Sequence, residues 1–184
     1  GVEMALEEYG LMDQLRNLGF NELRVAMDLD DPLGHTLRIQ TGGMKPLVLF
    51  ETRLRIVKDR EPGQLFLSVE WLLIQDTRSR FEMSRPLLPG QKYPGLGLLR
   101  DTVAVLVVLC ERLDLDGLVF TPSHFHLAAM SRPLALNPDP VEEGRFQAVM
   151  NLLKGARLRE AAAAVEKGQI IDGATGLPLE WLPT

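Results

Sequence analysis

A chain of 184 residues that is 46% hydrophobic and 24% charged has the composition of a globular protein and is long enough to bury one core. Its formal net charge of −5 supplies no broad basic field, which argues against nucleic acid and anionic membrane as partners. The single cysteine, Cys110, excludes an internal disulfide framework and a cysteine-based zinc cluster and fits a reducing, cytoplasmic setting.

The opening GVEMALEEYG lacks a basic region followed by an apolar one, and the longest apolar run, residues 103–110, is far short of the ~20 residues of a membrane helix. Neither a leader nor a membrane span is expected. In residues 4–18 the apolar side chains Ala5, Leu6, Tyr9, Met12, Leu15 and Leu18 recur at spacings of three and four, which predicts one amphipathic helix ending near Gly19. Residues 23–27 and 36–40 read as short strands before the turn signal Gly42-Gly43.

In PLVLFETRLRIVKD, Val48, Phe50, Leu54 and Ile56 alternate with Leu49, Glu51, Arg53 and Arg55, the pattern of a strand with one wet face. After Glu61-Pro62-Gly63, Leu65, Leu67, Val69, Trp71 and Leu73 fall on one side of a second strand, and the two form a hairpin. FEMSRPLL, residues 81–88, gives a third strand of the meander, stopped at Pro89. Past a glycine loop, the run beginning at Leu99 is apolar on nearly every side, which predicts a helix covered on more than one side. Residues 118–121, LVFT, then suit a buried strand parallel to its neighbour, as a strand-helix-strand crossover produces. A helix from Ser123, another over residues 141–153 and an alanine-rich one over 158–167 precede a tail in which Trp181 packs back.

The loop itself, PGQKYPGLGLLR, holds three glycines and two prolines in residues 89–97. Free backbone N–H groups at a helix start attract phosphate, and glycines let the backbone come close. Lys92 adds a cation. The loop is no nucleotide P-loop, because no Gly-Lys-Ser/Thr closes it. Phosphate cradle and tight strand-to-helix turn both fit its residues.

Chain order adds to the loop. Antiparallel strands, a glycine loop with a basic first residue, an apolar helix and a short parallel strand followed by another helix resemble the GNAT superfamily of acyl-CoA N-acyltransferases. In that family a loop of the form [Arg/Gln]-x-x-Gly-x-[Gly/Ala] binds the pyrophosphate of coenzyme A. Lys92, Gly95 and Gly97 stand in those places, with lysine for the usual arginine or glutamine. The resemblance covers residues 47–130 and implies an α/β (α+β) fold with a mixed, mostly antiparallel central sheet flanked by helices. On that reading residues 1–184 form one domain, with a core over 47–130 and flanking helices in 1–20 and 141–168.

The resemblance further implies acyl transfer from acetyl-CoA or another acyl-CoA to an amine. Cofactor contacts would come from Lys92, Tyr93, Gly95, Leu96, Gly97 and Leu98. The arm of coenzyme A would lie between the strands at residues 81–88 and 118–121. Glu82 is the first candidate for the base, and Glu70 the second. The family's thiolate acid is a tyrosine on the helix after the parallel strand; Ser123, His124 and His126 stand there instead, and the histidines are candidate substitutes.

Two other readings stay open. The missing tyrosine suits a non-catalytic binding or assembly module on the same scaffold, with a protein partner or a second copy of the chain. The pair His124-x-His126 could ligate a metal in a hydrolase, with His35 or a carboxylate as a third ligand, neither of which the spacing singles out. On a helix, however, those two side chains point about 200° apart, and Ser123 then acts as the helix cap.

Overall fold

The structure, a computed structural model, describes residues 2–58, 63–81 and 87–181. They form two compact units, the first from residues 1–80 and 93–120 and the second from residues 81–92 and 121–184.

The first unit opens with α1, Val2–Glu8, and α2, Leu11–Asn17. One continuous helix was expected here. Gly10, at φ +73°, takes a left-handed conformation that ends α1 after about two turns and lets α2 start at a new angle. Arg16 of α2 pairs with Glu7 of α1 across this corner. Of the stripe that the spacing implied, Leu6, Met12 and Leu15 are buried, joined by Leu11, while Leu18 is exposed.

Five strands follow: β1, Leu23–Asp28; β2, His35–Thr41; β3, Val48–Lys58; β4, Leu65–Ile74; and β5, Gly117–Phe120. They lie in the order β1-β2-β3-β4-β5, antiparallel throughout except that β5 runs parallel to β4. The mixed, mostly antiparallel sheet of the sequence reading is therefore present. Its parallel step is spanned by α3, Leu99–Arg112, as a parallel connection requires.

One face of the sheet carries a row of apolar residues that runs strand to strand through the register: Val25 opposite Ile39, Ile39 opposite Phe50, Phe50 opposite Ile74. The row packs with the apolar stripe of α1 and α2 into one core cluster. A second cluster joins Leu67 of β4 to Leu106 and Cys110 of α3. The other face is charged, with Arg38 paired to Glu51 and Arg55 to Glu70.

The strand expected at residues 81–88 falls for the most part outside the described residues, at 82–86, and the parallel partner of β5 is β4. Two other expectations need correction. Helix α3 buries one stripe, Thr102, Leu106 and Cys110 at spacings of four, while Val107 stands 44% exposed. Val103, Val105 and Val108 are half-buried, so the helix is covered mainly along one stripe. The strand β5 is not fully buried either, since Val119 and Phe120 are exposed at its end.

The second unit contains α4, Phe125–Ser131; α5, Pro140–Leu152; and α6, Leu158–Glu166. Helix α5 starts where its sequence dictates. Asp139 accepts the N–H of Val141 at 2.8 Å, and Pro140 occupies the first turn, where no N–H is needed. Phe125, Phe146, Val149, Ala161 and Val165 form the core of the unit. Trp181 packs back as expected. Its ring meets Phe125 edge-on at 5.7 Å, and its Nε1 donates to the Pro122 carbonyl at 2.9 Å. Among the described residues, no helix is long and apolar enough to cross a membrane.

Candidate functional site

The glycine loop re-enters the first unit at Tyr93. Pro94 is tied to the end of β4, since its carbonyl accepts the N–H of Asp76 at 2.7 Å. Gly95 lies against the same strand end: a Cβ built there would sit 3.7 Å from the Ile74 carbonyl oxygen. Gly97 has φ +78°, the left-handed region, and a Cβ there would meet nothing within 4 Å. Leu98 is buried, and its carbonyl accepts both the N–H and the hydroxyl of Thr102, at 2.9 and 2.8 Å. The loop is thus pinned at both ends and open between them.

Its donors are unspent. Among the described residues, no acceptor takes the N–H of Tyr93, Gly95, Leu96, Gly97 or Leu98. No side chain caps the start of α3, so the first-turn amides and the positive end of a 14-residue helix stand beside them. Tyr93, Gly95 and Gly97 are exposed, whereas Leu96 and Leu98 turn their side chains inward to the core. The alternation of glycine and leucine therefore has two tasks: leucines anchor the loop, and glycines leave its outer surface bare.

The edge of β4 next to this loop is also open. Pairing with β5 spans Phe66 to Val69, while β4 continues to Ile74. Beyond Val69 no described strand pairs with β4 on that side. The open stretch begins at Glu70, which is the extra residue of a β-bulge: Val69 faces Leu54 and Trp71 faces Arg53, so Glu70 has no partner of its own on β3. Its Oε1 accepts from Arg55 Nη2 at 2.9 Å and Nε at 3.2 Å, and among the described residues no donor engages Oε2. From Glu70 to Ile74 the strand advances about 13 Å, four residues at ~3.3 Å each. Glu82, the first candidate base, lies outside the described residues.

The remaining candidates belong to the second unit. Lys92 is exposed at its boundary with Tyr93, and Ser123 is exposed too. The cap of α4 is His124 rather than Ser123. Because His124 is extended, at φ −139° and ψ 149°, the helical divergence expected of the two histidines does not apply, and their rings stack at 5.5 Å and 16°. The Nδ1 of His124 lies 3.5 Å from Glu166 Oε2 of α6. Gly90 covers its other nitrogen, since a Cβ there would fall 2.6 Å from His124 Nε2. The His126 ring is buried with no partner at Nδ1. Burial first, and the neighbouring His124 second, push its pKa down to about 4.

No signal in the sequence joined Glu166 or Gly90 to His124. Glu166 read as one more charge on an alanine-rich helix, and contacts between distant elements leave no spacing to find. His35, a supposed third metal ligand, belongs to the first unit and turns its Nδ1 to the Leu29 carbonyl at 3.2 Å. Among the described residues, no three His, Cys, Asp or Glu side chains form a group that could hold a metal ion. Cys110 packs in the core with its Sγ 3.4 Å from the Gly117 carbonyl, and burial pushes its thiol pKa up, the opposite of a nucleophile's need.

No family model matches the chain, and comparisons with curated proteins and with solved structures find no match.

Proposed function

We propose that the chain is an acyl-CoA N-acyltransferase with a GNAT-like core, which binds the pyrophosphate of coenzyme A on the glycine loop and its extended arm along the open edge of β4. One observation carries this reading: the amides of Tyr93 and of residues 95–98, unengaged among the described residues, and the uncapped start of α3 adjoin a strand end that no described strand pairs beyond Val69. Anion-seeking donors and an extended-chain acceptor lie side by side, as a ligand with a diphosphate and a long amide-bearing arm needs. On this reading the arm lies along β4 beside β5, since the strand expected at residues 81–88 falls for the most part outside the described residues. The buried, reduced Cys110 suits a cytoplasmic acyl-CoA pool.

In the reaction, an amine nitrogen attacks the thioester carbonyl, the C–N bond forms, and the C–S bond breaks. The surplus proton on nitrogen passes to a base, and the departing thiolate takes up a proton. Glu70, at the start of the open edge with Oε2 unengaged among the described residues, is the base in this proposal. Amides on the β4 edge would polarise the carbonyl.

A second reading is a binding module that holds acyl-CoA without turnover. It is favoured by the absence of a tyrosine on α4, whose sequence is FHLAAMS. One experiment separates the two. Acetyl-CoA should raise the melting temperature of the protein, and Gly95→Asp should abolish the rise by setting a carboxylate against the phosphates. Release of free thiol from acetyl-CoA in the presence of an amine panel, lost in Glu70→Gln while the thermal shift remains, supports transfer. A shift with no turnover selects the binding module. No shift from acetyl-CoA or longer acyl-CoAs at millimolar concentration sinks both.

A further inference from the structure

The first unit holds a cavity of about 160 Å³ between the inner face of the sheet, α1 and α3. Protein interiors rarely leave voids larger than a water molecule, so a space of this size needs an occupant or a reason. Its wall offers water little. Thr52 Oγ1 donates to the Trp71 carbonyl at 3.1 Å, Thr102 Oγ1 to the Leu98 carbonyl at 2.8 Å, and Thr36 Oγ1 to Asp31 Oδ2 at 3.2 Å. With these hydroxyl protons spent and the other lining side chains apolar apart from Tyr9, His35 and Arg112, a water inside would find few of the two to four partners it needs. An engineered dry cavity of ~150 Å³ binds benzene for the same reason.

Shape and rim narrow the occupant. Thr102, Val105, Leu106, Leu109 and Arg112 line the cavity from successive turns of one face of α3, a span of about 15 Å at ~1.5 Å per residue. The stretch of α3 that lines it is long enough to lie along a medium alkyl chain, and it ends at Arg112. At the far end stands Arg112, half-exposed, its guanidinium 5.1 Å over the Tyr9 ring and 3.2 Å from Glu8. Both partners of that ion pair are solvent-exposed, so the pair is weak and exchangeable. The glycine loop precedes the opposite end of α3, so Arg112 and the loop amides are about 20 Å apart along the helix.

We propose that this slot binds a medium-chain aliphatic carboxylate, its alkyl chain under α3 and its carboxylate on Arg112 in place of Glu8. The site is independent of acyl-CoA binding at the glycine loop.

The test is titration of the full chain with octanoate below its micelle concentration, followed by calorimetry and by the melting temperature, with acetate and 1-octanol as comparison ligands. Octanoate should bind saturably and raise the melting temperature. Acetate should not bind, and octanol should bind severalfold more weakly. Val105→Trp, which fills the slot, should lose octanoate binding; Ala5→Leu serves the same purpose if the larger residue prevents folding. Arg112→Gln should reduce octanoate to the level of octanol, and Glu8→Gln should tighten octanoate by freeing Arg112. The proposal is overturned if octanoate fails to bind saturably, if octanol equals it on the unmodified chain, or if the folded filled variant binds it undiminished. None of these readouts involves coenzyme A.

Discussion

Trp71 stands directly across from Arg53 in the pairing of β4 with β3, so the largest side chain of the strand lies on the charged face of the sheet, 47% exposed. Strict alternation from Leu65 would have placed it in the core with Leu67 and Val69. The bulge at Glu70 reverses the alternation, and Leu72 and Ile74 take the inner positions opposite Thr52 and Phe50. The expected consequence is an inversion of the usual size rule. Trp71→Ser should cost less than about 1 kcal/mol, as an exposed substitution does, and Leu72→Ala about 2 kcal/mol. Urea denaturation of the two variants checks this, and a larger loss at Trp71 would mean that the bulge is misplaced.

Cys110 should be silent in the native protein. It is buried, its Sγ faces the Gly117 carbonyl, and burial holds its thiol above the ordinary range, so little thiolate forms and reagent has no path to it. A chromogenic disulfide reagent at pH 8 should therefore react only at the rate of unfolding, and in full once denaturant is added. Rapid stoichiometric reaction of the native chain would show that α3 lifts from β5.

Stability should fall with acid through His126. Its folded pKa is about 4, against an ordinary 6.5, so between those values the unfolded chain holds a proton that the folded chain refuses. Stability from this residue is complete above about pH 6.5, declines as pH falls, and is fully lost below about pH 4. The loss is on the order of 3–4 kcal/mol, at ~1.4 kcal/mol for each pH unit between the two values. The packed His124 lowers the value further and Glu166 raises it. His126→Leu, which also removes a buried nitrogen with no partner, should flatten the slope between pH 6.5 and 4.5. An unchanged slope would assign the acid sensitivity to other groups.

Periodicity made most of the first unit legible. Most of the stripe of α1 and α2, the charged side of β3 at Glu51, Arg53 and Arg55, and the crossover through α3 to a parallel β5 were each written in residues close in sequence, whereas Leu49, on the expected wet side, is buried and Ile56, on the expected dry side, is exposed. What failed did so for want of a local sign. Glu70 looks like any alternating strand residue, and a bulge is decided by the partner strand. Gly10 was read as part of a helix because the apolar spacing continues across it. The glycine loop was found by composition, but its openness depends on Leu96 and Leu98 reaching the core, a fact about the sheet rather than about the loop. The His124–Glu166 contact joins two helices that share no pattern.

Gly97 and Gly90 separate conformational strain from crowding. Both have positive φ, +78° and +76°, where any L residue costs about 1 kcal/mol. A Cβ at Gly97 would meet nothing within 4 Å, whereas at Gly90 it would fall 2.6 Å from His124 Nε2, closer than van der Waals contact allows. Gly97→Ala should therefore lose about 1 kcal/mol of stability. Gly90→Ala should lose more, by the cost of moving the His124 ring away from Glu166. Nuclear magnetic resonance of the two histidines reads the second effect directly: the His124 signals should shift in Gly90→Ala and stay in place in Gly97→Ala. Equal losses of stability with unmoved His124 signals would mean that Gly90 is held by its backbone alone and that the imidazole does not rest on it.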